Sequence, residues 1–418
     1  MTARDKFIKV KACASNPLWE QFIHRENEIY ERPDDIRSDF ARDYTRILHS
    51  NGYRRLKTKT QVFFATKNDH ICTRIEHVNH VASISGTIAK YLGLNEELVS
   101  AIAIGHDIGH APFGHHGEGV IKNIIKKQIP GSNFWHEKNS LFFLDNIETL
   151  SDSKGFASNM NLTYAVRDGI ISHCGEVNDA VIVPREENLD LSTIEKASKY
   201  QPFTWEGCVV KISDKIAYLG RDIEDAAFFK ILTPGNYRQL ALIVNRYLPK
   251  SGISEITNGA LIHGFIIDLV KNSSPETGIQ LSQEYLGLMN DIKEFNYKII
   301  YQHWRIESFK KYATVVIEEI FNTLMRFYNF YHEKLSRENR KSAIDQTSLD
   351  FPTLSRYFGD WLVKYSNIDL QEKAKLKYKN IEIYNVNCRE SYVKCCLDFI
   401  SGMTDNFAIK VYDEIVSF

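Results

Sequence analysis

The sequence predicts an all-α fold with at most short strands. Three observations carry this. Apolar residues recur at three- and four-residue spacing over most of the chain, helix-start and helix-stop residues bound those stretches, and strand signals are few and short. From Ile75, the positions Val78, Val81, Ile84, Ile88 and Leu92 form one helix face, and Gly93 follows as a C-terminal cap. Asn95 before Glu96 and Glu97 reads as an N-cap with an acidic first turn. The helix it opens is apolar nearly all round, which marks it as buried. Pro112 disfavours helical geometry at Ala111, so the expected end lies near residue 110. Further helices are expected over residues 208–229 and 306–337. The second carries Phe309, Tyr312, Val316, Ile320, Leu324 and Phe327 on one stripe. Residues 390–418 read as two helices broken near Ser401-Gly402. The best strand candidates are residues 180–183 and 381–384, and residues 184–202 and 338–352 read as long loops. Neither an internal repeat nor a Gly/Ser/Pro linker is evident, so residues 1–418 are expected to form a single unit.

Composition narrows the function. With 418 residues, 43% hydrophobic and 25% charged, the chain is long enough for a large core. A formal net charge of −1 supplies no global field for nucleic acid or an anionic membrane. Two basic clusters occur, around Arg54, Arg55, Lys57 and Lys59 and around Lys122, Lys126 and Lys127, and the second reads as a solvated face. Seven cysteines without a C-x-x-C pair argue against a disulfide framework or a cysteine zinc knuckle. Reduced thiols, an N-terminus without a long apolar stretch and the lack of an eighteen-residue apolar run lead to the expectation of a cytoplasmic protein with no membrane span.

Function concentrates in one window. Eight of the 14 histidines lie between His70 and His136, where an even spread would put about two. Within it runs Ala-Ile-Ala-Ile-Gly-His106-Asp107-Ile-Gly-His110-Ala-Pro-Phe-Gly-His115-His116-Gly-Glu118. Imidazoles and carboxylates ligate borderline divalent metals and also move protons. His106 and Asp107 sit at the end of a buried helix. His77, near the start of the preceding antiparallel helix, meets them at the same end. Asp214, on the helix beyond Cys208, is a candidate fourth ligand. Two imidazoles and two carboxylates suit Mn, Fe, Co, Ni, Zn or a partly hydrated Mg ion, without choosing between them. His110 follows His106 by one turn. If Gly117 opens a helix, Glu118 can bond His115 and hold it protonated as a general acid. His70 and His116 read as bystanders.

The H…HD…D order resembles the HD superfamily of metal-dependent phosphohydrolases. A narrower resemblance, over residues 38–408, is to the deoxynucleoside triphosphate triphosphohydrolases typified by dGTPases. It rests on Ser38-Asp-Phe-Ala-Arg-Asp-Tyr-Thr-Arg-Ile-Leu-His-Ser50, on Tyr53-Arg-Arg-Leu-Lys-Thr-Lys-Thr-Gln-Val-Phe63, and on Thr73-Arg-Ile-Glu-His77. It continues through the residue 106–118 block, Trp135-His136-Glu137, Ser213-Asp-Lys-Ile-Ala-Tyr-Leu-Gly-Arg-Asp222 and Ser401-Gly-Met-Thr-Asp-Asn-Phe-Ala408. Ala111 and Ser401 depart from the family's usual residues at positions away from the chemistry.

The resemblance implies an HD-domain helical core over about 38–235 and additional helices over about 236–418. It implies one divalent metal ion on His77, His106, Asp107 and Asp214, and proton handling by His115 with Glu118, supported by His110 and His136. Arg74 and Lys215 would contact the triphosphate as a fork and a point charge. Gln61, Tyr218 and Asp222 would lie by the sugar, where Tyr218 excludes a 2′-hydroxyl and Asp222 accepts from the 3′-hydroxyl. The implied reaction is water attack on the α-phosphorus of a dNTP, dGTP among them, releasing deoxynucleoside and triphosphate. The family also implies a homo-oligomer, often a hexamer, and in some members a dNTP activator at a second site. Two alternatives stay open. One is another HD hydrolase acting on nucleoside monophosphates or cyclic nucleotides. The other is a nucleotide-sensing or single-strand-binding protein, with nucleic acid as a secondary partner.

Overall fold

The computed structural model describes residues 4–28, 34–64, 70–152, 155–174, 180–196, 199–248, 257–333, 350–367 and 382–417, with backbone alone for 329–333. Among these, helices of seven or more residues are numbered here. The N-terminal half comprises α1 (Asp39–His49), α2 (Arg74–Leu92), α3 (Glu96–Gly105), α4 (Gly114–Gln128), α5 (His136–Phe142), α6 (Tyr164–Ser172) and α7 (Trp205–Phe228). Then follow α8 (Pro234–Tyr247), α9 (Asn258–Asn272), α10 (Gln283–Phe295), α11 (Trp304–Glu333), α12 (Pro352–Tyr365), α13 (Arg389–Ser401) and α14 (Asp405–Val416). Strands are short: β1 (Thr149–Ser151) pairs antiparallel with β2 (Ala157–Asn159), and β3 (Val181–Ile182) with β4 (Ile279–Gln280). The all-α expectation holds. Of the two expected strands, the first is β3. In the second, residue 381 lies outside the described residues and Tyr384 makes a single parallel bridge to Ser366.

The local signals work as read. Gly93 adopts φ 80°, the left-handed cap that L side chains avoid. The Asn95 side chain accepts from the backbone N–H groups of Glu97 and Leu98. Helix α3, apolar on every side, is surrounded by α1, α2, α6 and α7, and Leu98, Val99, Ala101, Ile102, Ala103 and Ile104 are all buried. The loop expected over 184–202 holds one 3₁₀ turn, Leu191–Thr193, among its described residues. Of the loop expected over 338–352, residues 338–349 lie outside the described residues. The tail divides into α13 and α14, with Thr404 capping α14. Helix α11 runs to Glu333, and residues 334–337 of its expected span also lie outside the described residues.

Two boundaries differ from expectation, both at the site. Helix α3 ends at Gly105 rather than near residue 110, because α5 captures the backbone beyond it. The Ser140 hydroxyl accepts from Gly109 N–H at 2.9 Å and donates to His106 O at 2.7 Å, while Asn139 Nδ2 donates to Gly109 O at 2.6 Å. Helix α4 begins at Gly114 rather than Gly117. Phe113 enters it with φ 63°, a left-handed geometry costly for a non-glycine residue. Asp405 holds it there by accepting from Phe113 N–H at 3.0 Å. A side chain at position 109 would collide with backbone, since a Cβ there would lie 2.1 Å from Ser140 N. Gly109→Ala is therefore expected to cost about 1–3 kcal/mol or more, read as a lowered denaturation midpoint at unchanged m-value.

Candidate active site and metal centre

Two helix ends and the middle of a third helix deliver the expected ligands to one spot. His77 sits in the first turn of α2, His106 caps the C-terminus of α3 with Asp107 beside it, and Asp214 lies mid-way along α7. His77 Nε2 is 2.9 Å from Asp214 Oδ1, and His106 Nε2 is 3.9 Å from the same oxygen and 3.5 Å from Asp107 Oδ1. The donor atoms of His77, His106 and Asp107 all lie within 4.8 Å of one another. His106 Nδ1–H donates to Ala103 O at 2.6 Å, so in the neutral ring Nε2 is the lone-pair nitrogen. That Nε2 is buried with no hydrogen-bond partner among the described residues. A buried acceptor facing two carboxylates and an imidazole fits a divalent cation better than any protein donor nearby. Burial opposes ionisation of Asp214, yet the bond and charge of His77 hold its carboxyl below the usual range. Asp107 is likewise held well down, against burial, by His110, His106 and Arg74. Both carboxylates are thus ionised, as ligation requires.

Beside the candidate metal ligands lies an imidazole stack. His110 Nε2 is 3.2 Å from Asp107 Oδ1, and the His110 ring stacks on His136 with centroids 3.8 Å apart. His115 stands edge-on to both. Glu118 sits between His136 Nδ1 at 2.9 Å and His115 Nδ1 at 3.5 Å. The nearer partner of Glu118 is therefore the buried His136, not the expected His115, whose side chain is 75% exposed. Burial works against the His136 charge, but Glu137 and then Glu118 raise it from 6.5 to about 9. His110 goes the other way, lowered well below its ordinary value by burial, then by Arg74 and His136. The arrangement holds a protonated imidazole next to a neutral one, a pairing suited to proton transfer. His116 lies apart, its Nε2 2.8 Å from Thr314 Oγ1, and His115 edges a cleft between α4 and α11 that Lys126 and Lys127 also line.

Of the expected substrate contacts, Arg74 is buried, and its Nη1 meets Asp107 Oδ2 at 2.6 Å. Its Nε and Nη2 have no partner among the described residues, and neither has Gln61 Oε1. A Cβ at Gly114 would lie 3.1 Å from Arg74 Nη2 and 3.5 Å from Gln61 O, so the two residues flank the start of α4. Lys215 and Tyr218 are half-buried on α7, on either side of one turn. Asp222, a further turn on, is buried and accepts a short hydrogen bond from the Tyr301 hydroxyl. Burial is the main cause that raises its carboxyl to about 7.

The structure adds residues that sequence reasoning missed. His173 at the end of α6 touches both His106 (centroids 4.7 Å) and His136 (5.6 Å), joining the ligand cluster to the stack. Burial, then the neighbouring His106 and His136 imidazoles, lowers it to about 3, so it is neutral. The signal was present: Gly-Ile-Ile-Ser-His173 ends an apolar run as Ala-Ile-Gly-His106 does. Tyr301, in a π-helical segment, and Glu137 had no such signal. Asp405 and Lys59 act through the backbone. Asp405 bonds Thr60 N–H and Phe113 N–H, while buried Lys59 donates to the carbonyls of His110 and Ser401. The C-terminal Ser401–Ala408 block thus clamps the turn that carries His110.

Residues 74–219 match the HD domain family model. A deoxyguanosinetriphosphate triphosphohydrolase-like protein of Caldanaerobacter subterraneus subsp. tengcongensis is 32% identical over 387 residues, covering 92% of this chain and 87% of the relative. One of the same description from Rickettsia bellii is 29% identical, over 97% of both chains. Another from Clostridium tetani is 35% identical over 74% of this chain and 81% of its own. Among the described residues, no helix is long and apolar enough to cross a membrane.

Proposed function

The chain belongs to the deoxyguanosinetriphosphate triphosphohydrolase-like family of HD-domain proteins, and from that premise we propose that it hydrolyses deoxynucleoside triphosphates, dGTP among them, to deoxynucleoside and inorganic triphosphate. The observation that carries the reading is the juxtaposition of the His77, His106, Asp107 and Asp214 donors with the His110–His136 stack and Glu118. His77, His106, Asp107 and Asp214 would hold a divalent ion. Such an ion supplies Lewis acidity to a phosphoryl oxygen and lowers the pKa of water.

The chain's own groups do the rest. Arg74, with Nε and Nη2 uncommitted, offers N–H donors to a phosphate while Asp107 fixes its plane. Lys215 adds positive charge one residue from Asp214. His115, exposed and backed by Glu118, delivers a proton to the departing O5′, and His136 restores the Glu118 charge balance. Gln61, Tyr218 and Asp222 contact the sugar. Asp222 orients through Tyr301, which makes Tyr301 part of the same wall.

Incubating the protein with each dNTP and Mn or Mg, singly and then in pairs, tests the reading. Inorganic tripolyphosphate is the expected product by ion chromatography. Pyrophosphate or orthophosphate instead would reject the bond assignment and leave only the wider HD phosphohydrolase class.

A further inference from the structure

His173 and His106 are built alike. Each occupies the C-cap of a buried helix, α6 and α3 respectively, with helical φ/ψ. In each, Nδ1 lies on the carbonyl three residues back, 2.7 Å from Ile170 O for His173 and 2.6 Å from Ala103 O for His106. A carbonyl only accepts, so Nδ1 carries the proton in both, and in the neutral ring Nε2 carries the lone pair. Each Nε2 is fully buried with no hydrogen-bond partner among the described residues. The two helix ends therefore aim two bare nitrogens into one space, and the donor atoms of His106, His173 and Asp214 lie within 4.8 Å of one another. A buried lone pair without a donor calls for a partner from outside the chain. A divalent cation serves both nitrogens at once, whereas a lone water would leave the Asp214 oxygen facing them.

We propose that His173 supplies a fifth protein donor to the metal centre, so that three imidazoles rather than two hold the ion. This rests on the reading of His77, His106, Asp107 and Asp214 as that centre. It predicts a preference for nitrogen-tolerant ions such as Mn, Fe, Co or Ni over Mg, which favours oxygen donors. A competing assignment is present in the fold: His173 also lies among His136, Glu137 and Cys174, a set that offers a separate site.

The test uses the full-length protein and Mn or Co alone. X-ray absorption on the Co-loaded wild type is expected to resolve three coordinated imidazoles, and a count of two overturns the proposal without any variant. In equilibrium dialysis, His173→Ala and His173→Gln should raise the Mn dissociation constant by about 100-fold or more, beyond the usual cost of losing a supporting residue. Circular dichroism confirms that each variant is folded. Unchanged affinity and an unchanged cobalt spectrum in a folded His173 variant refute the assignment. So does a second bound equivalent that both His173→Ala and Cys174→Ser abolish while the first remains. His106→Ala separates the two levels: if it binds metal as the wild type does, the metal-centre reading itself fails.

Discussion

His106→Ala is expected to lower kcat/KM by at least about 10³-fold and to abolish stoichiometric binding of a divalent ion. His106 is fully buried, its Nδ1 is already committed to Ala103 O, and its Nε2 has no hydrogen-bond partner among the described residues. Loss of the ring removes a donor that faces Asp107, Asp214 and the His77 and His173 imidazoles. The Asp107 and Asp214 carboxylates then keep one imidazole fewer beside them, which weakens any ion they retain. Metal assistance to hydrolysis is worth several kcal/mol, and each 1.36 kcal/mol is tenfold in rate, hence roughly three decades. The cavity adds a stability cost of about 2–4 kcal/mol, as for other large-to-small core changes, so circular dichroism must show folded protein before rates are compared. A folded variant that keeps wild-type metal content and more than a tenth of wild-type turnover would sink the role given to His106.

The candidate ligands were more legible in the sequence than the contacts that position them. His77, His106 and Asp107 could be placed together because Gly93 and Asn95 fix a tight turn between two helices of readable period. Asp214 followed from chain order alone. What could not be read were contacts made across long sequence separation. The end of α3 at Gly105 depends on Ser140, and the start of α4 depends on Asp405, 292 positions from Phe113. Local propensity carries neither. Which imidazole Glu118 chooses was hidden for the same reason, since i,i+3 spacing offers His115 and only the packing of α5 against the turn brings His136 closer. His173 shows a different limit. Its local pattern copies that of His106, but that signal points to no site until α6 is known to lie against α3.

The choice of Glu118 bears directly on the second large effect. His115→Ala is expected to lower kcat by about 10²–10⁴-fold, the usual contribution of a general acid, while metal content stays at the wild-type level because His115 groups with His110, Glu118 and His136 rather than with His77, His106, Asp107 or Asp214. Its exposed ring is replaceable without a buried cavity, so stability should barely change. Glu118→Gln probes the same device from behind. Glu118 carries its negative charge between two imidazoles, and with Glu137 it raises His136 from 6.5 to about 9. The sign follows from that direction. A histidine raised on folding adds stability that is complete below about 6.5 and is lost as pH rises through about 9. The positive charge facing Glu118 is lost as pH rises through about 9, so wild-type kcat/KM should fall on the alkaline side near pH 9. Removing the Glu118 charge lowers the His136 pKa, and the alkaline limb of Glu118→Gln should move to lower pH as its maximum drops. A His115→Ala protein with full turnover would dismiss the proton-donor role. An alkaline limb that stays in place in Glu118→Gln would show instead that His136 is raised by Glu137 alone and stands outside the proton path.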